Sequence, residues 1–406
     1  MNLKTNWELV PLEELAIKEK GSIRRGPFGG ALKKENFVKE GYLVYEQQHA
    51  IGNDFSLGRY FIDELKYKEM EGFNVLPDDL IISCARTIGR IAIAPHNARA
   101  GIINQALMRI RPDQHKVLPI YLKRYLESPI AKRDIFSKSS GSALKNLAAI
   151  SEIKKSKIPL PPIAEQRRIA AILDKADEIR RKRSQAIQLT EDLGRSLFLN
   201  MFGDPVINPK GWEIHKIEDV SERVTDGTHH TPIRSESGIK LLSARNIQNG
   251  FIDIDTGIDF IPINEYERLK KRYDPKPQDL LISCSGSVGR VSLVRDFENS
   301  KFSMVRSVAS VRPDTTQINP EYLESFFHSE FMQRAIKKGS KKSSQANLFQ
   351  GAIKELPVLL PPLQLQKTWE RRKKDIANIR RKNYQYLEES ENFFNSLLQR
   401  AFRGEL

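Results

Sequence analysis

The sequence predicts an α/β (α+β) protein built from two tandem copies of one globular domain, each followed by a long helix. Three observations predict this fold class. Sequence segments recur at an offset of 200 residues, each copy contains short runs rich in Ile and Val, and each copy ends in a long stretch without proline. A period of this length is typical of a duplicated domain rather than of a solenoid array.

The repeat is visible in core segments and in the segments that end each globular domain. Asp79–Cys84 returns as Asp279–Cys284, and Leu160-Pro161-Pro162 returns as Leu360-Pro361-Pro362. Other matches drift by one to five residues from this offset, such as Arg111 with Arg312 and Trp7 with Trp212, which indicates short loop insertions between common elements. Residues 1–163 and 204–363 are therefore predicted to form the two globular domains, and residues 164–203 and 364–406 the two helices.

Short apolar runs predict the strands of each globular domain. They have the length and the β-branched composition of strands, and segments with helical spacing follow them. The strands are expected at Leu80–Ser83, Ile91–Ala94, Leu280–Ser283 and Val291–Val294, and packed helices at Ile120–Leu126 and Tyr322–His328.

A proline pair precedes each long helix, Pro161-Pro162 in the first copy and Pro361-Pro362 in the second. Proline suits the first turn of a helix and not its interior. The stretches without proline cover residues 164–201 and 364–402. A helix of this length spans on the order of 57 Å, enough to hold two globular domains well apart.

Residues spaced alternately by four and three positions give both helices a heptad-like seam with flaws. We therefore predict that the helices pack on each other as a coiled coil, most simply antiparallel. Arg183 and Asn383 fall at equivalent seam positions, where they either fix the register or face water. The residues predicted to pair the helices or to dock partners are Ile172, Ile179, Leu193, Leu197, Ile376, Ile379, Phe393 and Leu397.

The chain has 66 Lys and Arg against 51 Asp and Glu, a formal charge of +15. The helices hold +6 of this excess and the globular domains +9. A basic balance of this size favours a polyanionic partner, and phosphate neutralisation supplies most of the sequence-independent affinity for DNA. A membrane surface is the competing partner, but no isolated basic amphipathic helix supports it.

The sequence also bears on location and cysteine chemistry. No apolar run approaches the ~18 residues of a membrane span, and the polar segment Met1–Trp7 lacks an apolar signal core, so we expect a cytoplasmic protein. Cys84 and Cys284 are too few for a disulfide framework or a zinc site, and we expect both as buried thiols of core strands.

Polar loops of the globular domains hold the candidate DNA contacts. Gln, Asn and Arg offer the bidentate geometry that base edges require, and basic, Ser-rich loops suit phosphate contact. The two copies agree in their scaffold segments and diverge in these loops, as expected for readers of different sequences. The predicted residues in the first copy are Gln47, Gln48, His49, Asn53, Arg86, Thr87, Lys138 and Ser140. Those in the second are Thr225, Asp226, Gly227, Thr228, His229, Thr231, Arg245, Asn246, Gln248, Ser285, Ser287, Lys341 and Lys342.

The sequence shows no catalytic constellation. It has neither a Gly-x-x-x-x-Gly-Lys-Ser/Thr loop for nucleotide phosphates nor the Asn/Asp-Pro-Pro-Tyr/Phe signature of an amino-methyltransferase. Asp63-Glu64-Leu65-Lys66 has nuclease-like spacing but no supporting upstream acid, so we expect a charged surface turn. The adjacent His229 and His230 point apart rather than converging on a metal ion.

Several motifs together resemble the specificity subunit of type I restriction-modification enzymes, over essentially the whole chain. Leu160–Ala170 is similar to that family's central spacer and Leu360–Gln366 to its distal spacer, although Leu365 replaces the acid found at Glu165. Further segments that resemble the family are Phe202–Pro205 at the domain boundary, Asp226–Pro232 and Leu280–Gly289 in the recognition domain, and the ending Phe402–Leu406. The first copy departs by lacking the Asp-Gly-Thr-His segment and by having Ala85-Arg86-Thr87 where the second has Ser285-Gly286-Ser287.

The resemblance implies two target recognition domains related by a pseudo-two-fold. Each would read one half of a split, asymmetric double-stranded DNA sequence, with an unread gap set by the spacer helices. It also implies two methyltransferase (modification) subunits that bind S-adenosylmethionine and flip an adenine, and restriction (translocase) subunits that use ATP and Mg. The spacer helices would dock these partners, and this chain would contribute sequence choice without catalysis or a cofactor of its own.

Three alternatives stay open at this point. A stand-alone regulator with the same tandem readers would not depend on the helix surfaces for partners. A single-chain nuclease using Asp63 and Glu64 would cleave DNA with magnesium. A structural scaffold would bind no DNA at moderate salt.

Overall fold

The computed structural model describes residues 7–133, 149–274, 276–295, 301–340 and 347–406. The chain divides into two compact units, Met1–Gln185 with Tyr384–Leu406 (unit 1) and Ala186–Asn383 (unit 2). Each unit contains one globular domain and a part of each long helix.

The globular part of unit 1 is a mixed domain, as predicted. Its strands are β1 (Glu8–Pro11), β2 (Ile23–Arg25), β3 (Tyr42–Tyr45), β4 (Phe61–Ile62), β5 (Leu80–Ser83), β6 (Ile91–Ile93), β7 (Gly101–Ile103), β8 (Leu107–Ile110) and β9 (Lys157–Leu160). Its helices are α1 (Gln47–Gly52), α2 (Glu64–Glu69), α3 (Pro119–Glu127), α4 (Pro129–Ala131) and α5 (Ile150–Lys154), and the long helix α6 (Ile163–Phe202) follows.

The strands of unit 1 form three sheets. An antiparallel sheet has the order β2-β8-β5-β6, a mixed sheet has the order β4-β3-β7, and β1 pairs with β9. All four residues of β5 are buried, because its two faces are covered by different apolar clusters. The apolar run at 80–83 therefore marks a central strand.

The globular part of unit 2 repeats these elements in the same order. Its strands are β10 (Glu213–Lys216), β11 (Ser221–Asp226), β12 (Ile239–Leu242), β13 (Ile247–Gln248), β14 (Phe251–Ile252), β15 (Asp259–Ile261), β16 (Leu280–Ser283), β17 (Val291–Leu293), β18 (Phe302–Met304), β19 (Val308–Pro313) and β20 (Pro357–Leu360). Its helices are α7 (Ile263–Lys270), α8 (Pro320–Phe327), α9 (Glu330–Ser340) and α10 (Gln350–Lys354), followed by the long helix α11 (Leu363–Ala401).

Sheet topology confirms the duplication inferred from the sequence. The order β11-β19-β16-β17 matches β2-β8-β5-β6, the order β15-β12-β18 matches β4-β3-β7, and β10 pairs with β20 as β1 pairs with β9. The hairpin β13-β14 has no counterpart strands among the described residues of unit 1.

Each proline pair is followed by a buried glutamine that joins the long helix to its own globular domain. Gln166 accepts a hydrogen bond from the Leu118 amide at 2.8 Å and donates to the Pro161 carbonyl at 2.9 Å. Gln366 accepts from the Asn319 amide at 2.7 Å and donates to the Pro361 carbonyl at 2.7 Å. The matched glutamines at 166 and 366 therefore have the same structural role in both copies.

The two long helices are antiparallel within each unit, as predicted. In unit 1, the Arg180 guanidinium lies 5.0 Å from the Phe394 ring and that of Arg183 lies 4.9 Å from the Tyr386 ring. In unit 2, Asn383 donates to the Thr190 hydroxyl at 3.3 Å. Arg183 and Asn383 therefore lie in the helix–helix contact instead of facing water, and their role in fixing the register stays a prediction.

The phase of the predicted seam was correct at every second position only. Positions 176, 183, 190 and 197, and their counterparts 376, 383, 390 and 397, are buried or half-buried. Four of the alternate positions point outward, with Ile179 45%, Leu193 52%, Ile379 48% and Phe393 58% exposed. The contact instead uses Leu173, Arg180, Ile187 and Phe394, each displaced by one residue from the predicted series. Ile172 is half-buried against the core of unit 1, and Leu197 against that of unit 2.

Both cysteines are buried, as predicted.

A phenylalanine at the C-terminal end of each long helix packs into the core of a unit. Phe402 is fully buried against Tyr121 and Tyr125 in unit 1, and Phe202 contacts Tyr322 and Trp369 in unit 2. No helix within the described part of the chain is both long enough and apolar enough to cross a membrane.

Candidate nucleic-acid interface

Strand register brings the predicted loops of unit 1 to one edge of its sheets. Arg25 pairs with Met108, Ser83 with Leu107, and Tyr45 with Ile103, so β2, β3, β5 and β7 all end where β8 begins. The loops that leave these strands, residues 26–30, 46–53, 84–90 and 104–106, form what we call the first loop edge. Backbone bonds fix it: the Gly26 amide donates to the Leu107 carbonyl at 2.9 Å and the Cys84 amide to that of Ala106 at 2.8 Å.

Unit 2 builds the same edge from its own residues. The Gly227 amide donates to the Val308 carbonyl at 2.9 Å, the Cys284 amide to Ser307 at 2.7 Å, and the Val305 amide to Leu242 at 3.0 Å. Residues 227–231, 243–250, 284–290 and 305–307 form the second loop edge. Most of the described candidates, although scattered in the sequence, therefore lie at one edge per unit.

Two predicted base contacts, His49 and Asn246, are corrected to structural residues. His49 is fully buried: its Nδ1 accepts from the Glu46 amide at 2.9 Å, and its Nε2, which then has the proton, donates to the Leu57 carbonyl at 3.0 Å. Asn246 is 1% exposed, and its Oδ1 accepts from the Ser243 amide at 2.9 Å. The two side chains close the same turn in the two units and have no surface free for DNA.

The other candidates of the first loop edge are accessible to different degrees. Gln47 is half-buried and donates to the Ala85 carbonyl at 2.5 Å, so it supports the 84–90 loop. Gln48, Asn53, Arg86 and Thr87 are exposed. Arg86 has a left-handed backbone (φ 52°), at the position where unit 2 has Gly286 (φ 68°). That conformation costs an ordinary residue about 1 kcal/mol, so the loop holds an exposed guanidinium in a conformation that suits glycine better.

The Thr225–Thr231 segment of unit 2 contains both buried structural residues and exposed residues. Thr225 and Thr228 are each 7% exposed and Gly227 is buried, whereas His229 and Thr231 are exposed. A Cβ on Gly227 would lie 2.3 Å from the Val305 carbonyl oxygen, so only glycine fits this close approach. Asp226 is half-buried and paired with Arg272 and with His229.

The remaining candidates of unit 2 line the same edge. Arg245 is exposed and pairs with Asp259 at 3.1 Å. Gln248 accepts from the Arg290 guanidinium at 3.0 Å. Ser285 is half-buried and Ser287 exposed. The predicted phosphate contacts Lys138, Ser140, Lys341 and Lys342 lie outside the described residues.

Sequence reasoning missed the first loop of unit 1. Gly26 occupies the place of Gly227, and a Cβ there would lie 1.9 Å from the Asn104 carbonyl oxygen. Phe28 on this loop is 69% exposed, and a cavity of about 500 Å³ beside it is lined in part by Pro27, Asn104 and Gln105. This loop has no Asp-Gly-Thr-His motif, but its glycine lies 201 residues before Gly227, and that spacing was a usable signal.

The acidic segment considered for a nuclease is used in local structure. The Asp63 carboxylate accepts from the Lys66 amide at 2.7 Å and so caps α2. Glu64 pairs with Lys68 at 2.8 Å on the helix surface. Within the described residues, no group of three or more His, Cys, Asp or Glu is placed to hold a metal ion.

Two matched α+β units with different polar edges, joined by antiparallel helices, define a class of duplicated two-domain recognition protein. Comparison with known proteins gives the family. A family model described as "Type I restriction modification DNA specificity domain" matches residues 4–189 and 209–389, and the chain belongs to this family.

Named relatives and solved structures agree with the match. The chain is 25% identical to the type I restriction enzyme EcoKI specificity subunit of Escherichia coli strain K12, over 100% of this chain and 90% of that one. It is 21% identical to the putative MjaX specificity subunit of Methanocaldococcus jannaschii, over 97% and 95%. A crystal structure of a type I restriction-modification S subunit from M. genitalium, 16% identical over 99% and 97% of the two chains, has the same fold (TM-score 0.54). A chain from a study of type I complex assembly, 18% identical over the full length of both chains, gives a TM-score of 0.62.

Proposed function

We propose that this chain reads a bipartite, asymmetric DNA sequence for a type I restriction-modification complex, with one half-site read by each loop edge. The observation that supports this most strongly is that the two units share the contacts that shape their loops but differ in the exposed residues of those loops. Gly26 and Gly227 make the same close approach, and His49 and Asn246 close the same turn. The exposed positions differ, for example Arg86 against Gly286.

Double-stranded DNA fits these edges as a ligand. They combine exposed Arg, Gln, Asn and Ser side chains, which suit base edges and phosphates. The globular domains also hold the larger part of the net positive charge, +9 of +15, and this excess favours phosphate contacts.

The long helices supply the proposed docking surface for partners. Ile179, Leu193, Ile379 and Phe393 face outward on them, each about half exposed. These side chains are available for contact with another protein. We propose that modification subunits, and restriction subunits with them, bind here. The partners would bring S-adenosylmethionine, ATP and Mg, and this chain would have no catalytic residue of its own.

The test is co-expression with the modification subunit encoded nearest to this chain's gene, followed by copurification and mapping of methylated adenines. A copurified complex and methylation in one split motif with an unread gap of constant length would support the proposal. A chain that copurifies with nothing and leaves DNA unmethylated would contradict it. Incubation of the purified chain with DNA and magnesium tests the nuclease alternative, and cleavage there would also count against the proposal.

A further inference from the structure

Arg25 and Asp226 occupy the same place in the two units with opposite charge. Each ends the strand that leads to the close approach found in both units, at Gly26 or Gly227. Each also lies beside the buried cysteine of its unit. Burial raises the pKa of Cys84 to about 12 against the opposing effect of Arg25, and raises that of Cys284 to about 12 with Asp226 adding to it.

The two charged side chains differ in how the protein satisfies them. Asp226 accepts from His229 at 2.8 Å and forms an ion pair with Arg272 at 2.5 Å. Arg25 forms no hydrogen bond or ion pair with any described residue, and its Nε is buried without a partner. Its guanidinium lies 5.4 Å from the centre of the Phe28 ring.

An unpartnered, partly buried guanidinium is uncommon and unfavourable. Arginine has five N–H donors, and a buried donor without an acceptor loses its hydration without replacement. Arg109 is the other arginine of the described residues with an unpartnered buried Nε, but its remaining nitrogens donate to the Gly21 and Asn74 carbonyl oxygens. Arg25 has no such compensation within the described protein.

The surroundings of Arg25 are held in place and are basic. Gly26 is locked against the 104–106 turn, and the buried Pro27 leaves Phe28 exposed beside the guanidinium. Residues 24–34 contain four Lys or Arg and no Asp or Glu. Lys33 pairs with Glu35 at 3.4 Å, and the other three cations have no acidic neighbour in this segment. A loop with an unpartnered guanidinium and an exposed ring is suited to an anionic ligand with paired acceptors.

We propose that Arg25, which directly precedes the first loop edge, is a DNA-contacting residue, and that acceptor pairs on double-stranded DNA complete its hydrogen bonding. Two acceptor groups of DNA have this geometry, the O6 and N7 atoms of guanine and the oxygens of a phosphate. The inference rests on the proposed function and names a residue through which the first half-site is bound.

Stability separates a ligand-binding arginine from a structural one. Replacement of Arg25 by Met keeps most of the side-chain volume and removes the unpartnered donors. We expect the melting temperature of the full chain to stay the same or rise in the absence of DNA. A fall of several degrees would show that Arg25 is bonded within the protein and would overturn the proposal.

Binding is measured with the full chain in complex with the modification subunit that copurifies with it, by selection from a library of random DNA duplexes. We expect R25A to weaken binding to the selected duplex by about 10- to 100-fold, the usual range for one bidentate contact. The pattern of the loss distinguishes the two acceptors. If R25K loses the preference for guanine at one position of one half-site, Arg25 contacts a base. If R25A binds all duplexes more weakly and with a lower salt dependence, Arg25 contacts a phosphate.

Arg99 provides the matched control. It also stacks on a phenylalanine, with its guanidinium 4.7 Å from the Phe61 ring, but it precedes β7 and so lies at the end of that strand opposite to the first loop edge. R99A should bind like the wild type. Equal binding by the R25A, R99A and wild-type chains would refute the role of Arg25 and leave the proposed function intact, whereas a wild-type chain that selects no sequence would refute both.

Discussion

The ion pairs of Arg124 give the sharpest test of how the first globular domain is attached to its long helix. Arg124 on α3 is 4% exposed, and it bonds Asp174 at 2.7 Å and Asp177 at 3.0 Å on α6. Replacement by Met would leave Asp177, 6% exposed, with only Arg180 and the more distant Arg181 as partners.

The expected loss follows from burial and from the remaining partners. Breaking a buried ion pair by removing one side costs about 3–5 kcal/mol, and we expect about 3 kcal/mol because Asp174 is partly solvated and Asp177 keeps a partner. A unit of roughly 200 residues loses about 2–4 °C of melting temperature per kcal/mol, which predicts a fall of about 6–12 °C.

The matched control is Arg168→Met. Arg168 pairs with Glu165 at 2.7 Å on the same helix, but both side chains are substantially exposed, 47% and 29%. An exposed pair of this kind contributes about 0–1 kcal/mol, so this variant should melt within about 4 °C of the wild type. Thermal unfolding followed by circular dichroism measures both variants.

The pH dependence of the difference gives a second check. Burial alone would raise the pKa of Asp177, but Arg124 and Arg180 outweigh burial and lower it. A carboxyl group with a lowered pKa stabilises the fold above its unfolded pKa, and this contribution is lost as the pH falls through its folded pKa. Without Arg124, burial disfavours the charged form of Asp177 more strongly, so protonation of Asp177 should stabilise the variant. The deficit in melting temperature relative to the wild type should therefore narrow as the pH approaches 4. A deficit at pH 7 no larger than that of Arg168→Met, or one that widens in acid, would refute this reasoning.

Three further predictions concern the cores and the loop edges. Phe402→Ala should lower the free energy of unfolding by about 3–5 kcal/mol, because this ring is fully buried in unit 1; a loss below about 1 kcal/mol in chemical denaturation would contradict the assignment. Gly227→Ala should destabilise the chain and weaken DNA binding, because its Cβ would meet the Val305 carbonyl oxygen at 2.3 Å, whereas Gly351→Ala, with no atom within 4 Å, should do neither. Cys84 and Cys284, whose pKa burial raises to about 12, should react with a thiol reagent at pH 8 only after unfolding, and fast labelling of the native chain would be inconsistent with their burial.

The duplicated fold could be predicted from the sequence because its signals are local and repeated. The offset of 200 residues and the proline pairs placed the matched strands and both helices. The phase of the helix seam was harder to predict from the sequence, because charged residues such as Arg180 occupy inward positions while apolar residues such as Ile179 point outward. Tertiary contacts select the inward face, and the heptad pattern alone misplaced half of it.

The candidate site was predictable as a set of loops and not as individual contacts. Divergence between the copies indicated the right loops, and strand register then brought most of them to one edge per unit. Side-chain direction decides the rest: His49 and Asn246 have base-reading chemistry but turn inward to close a turn. Arg25 was missed because its counterpart Asp226 has the opposite charge, so no motif connects the two positions.

Exchange of residues 1–163 for the corresponding domain of another specificity subunit tests the central claim most directly. The exchanged chain is co-expressed with the modification subunit, and methylated adenines are mapped by single-molecule sequencing. Reading by two independent loop edges predicts that one half of the methylated motif changes while the other half and the length of the gap stay the same. A change in both halves, or in neither, would contradict it.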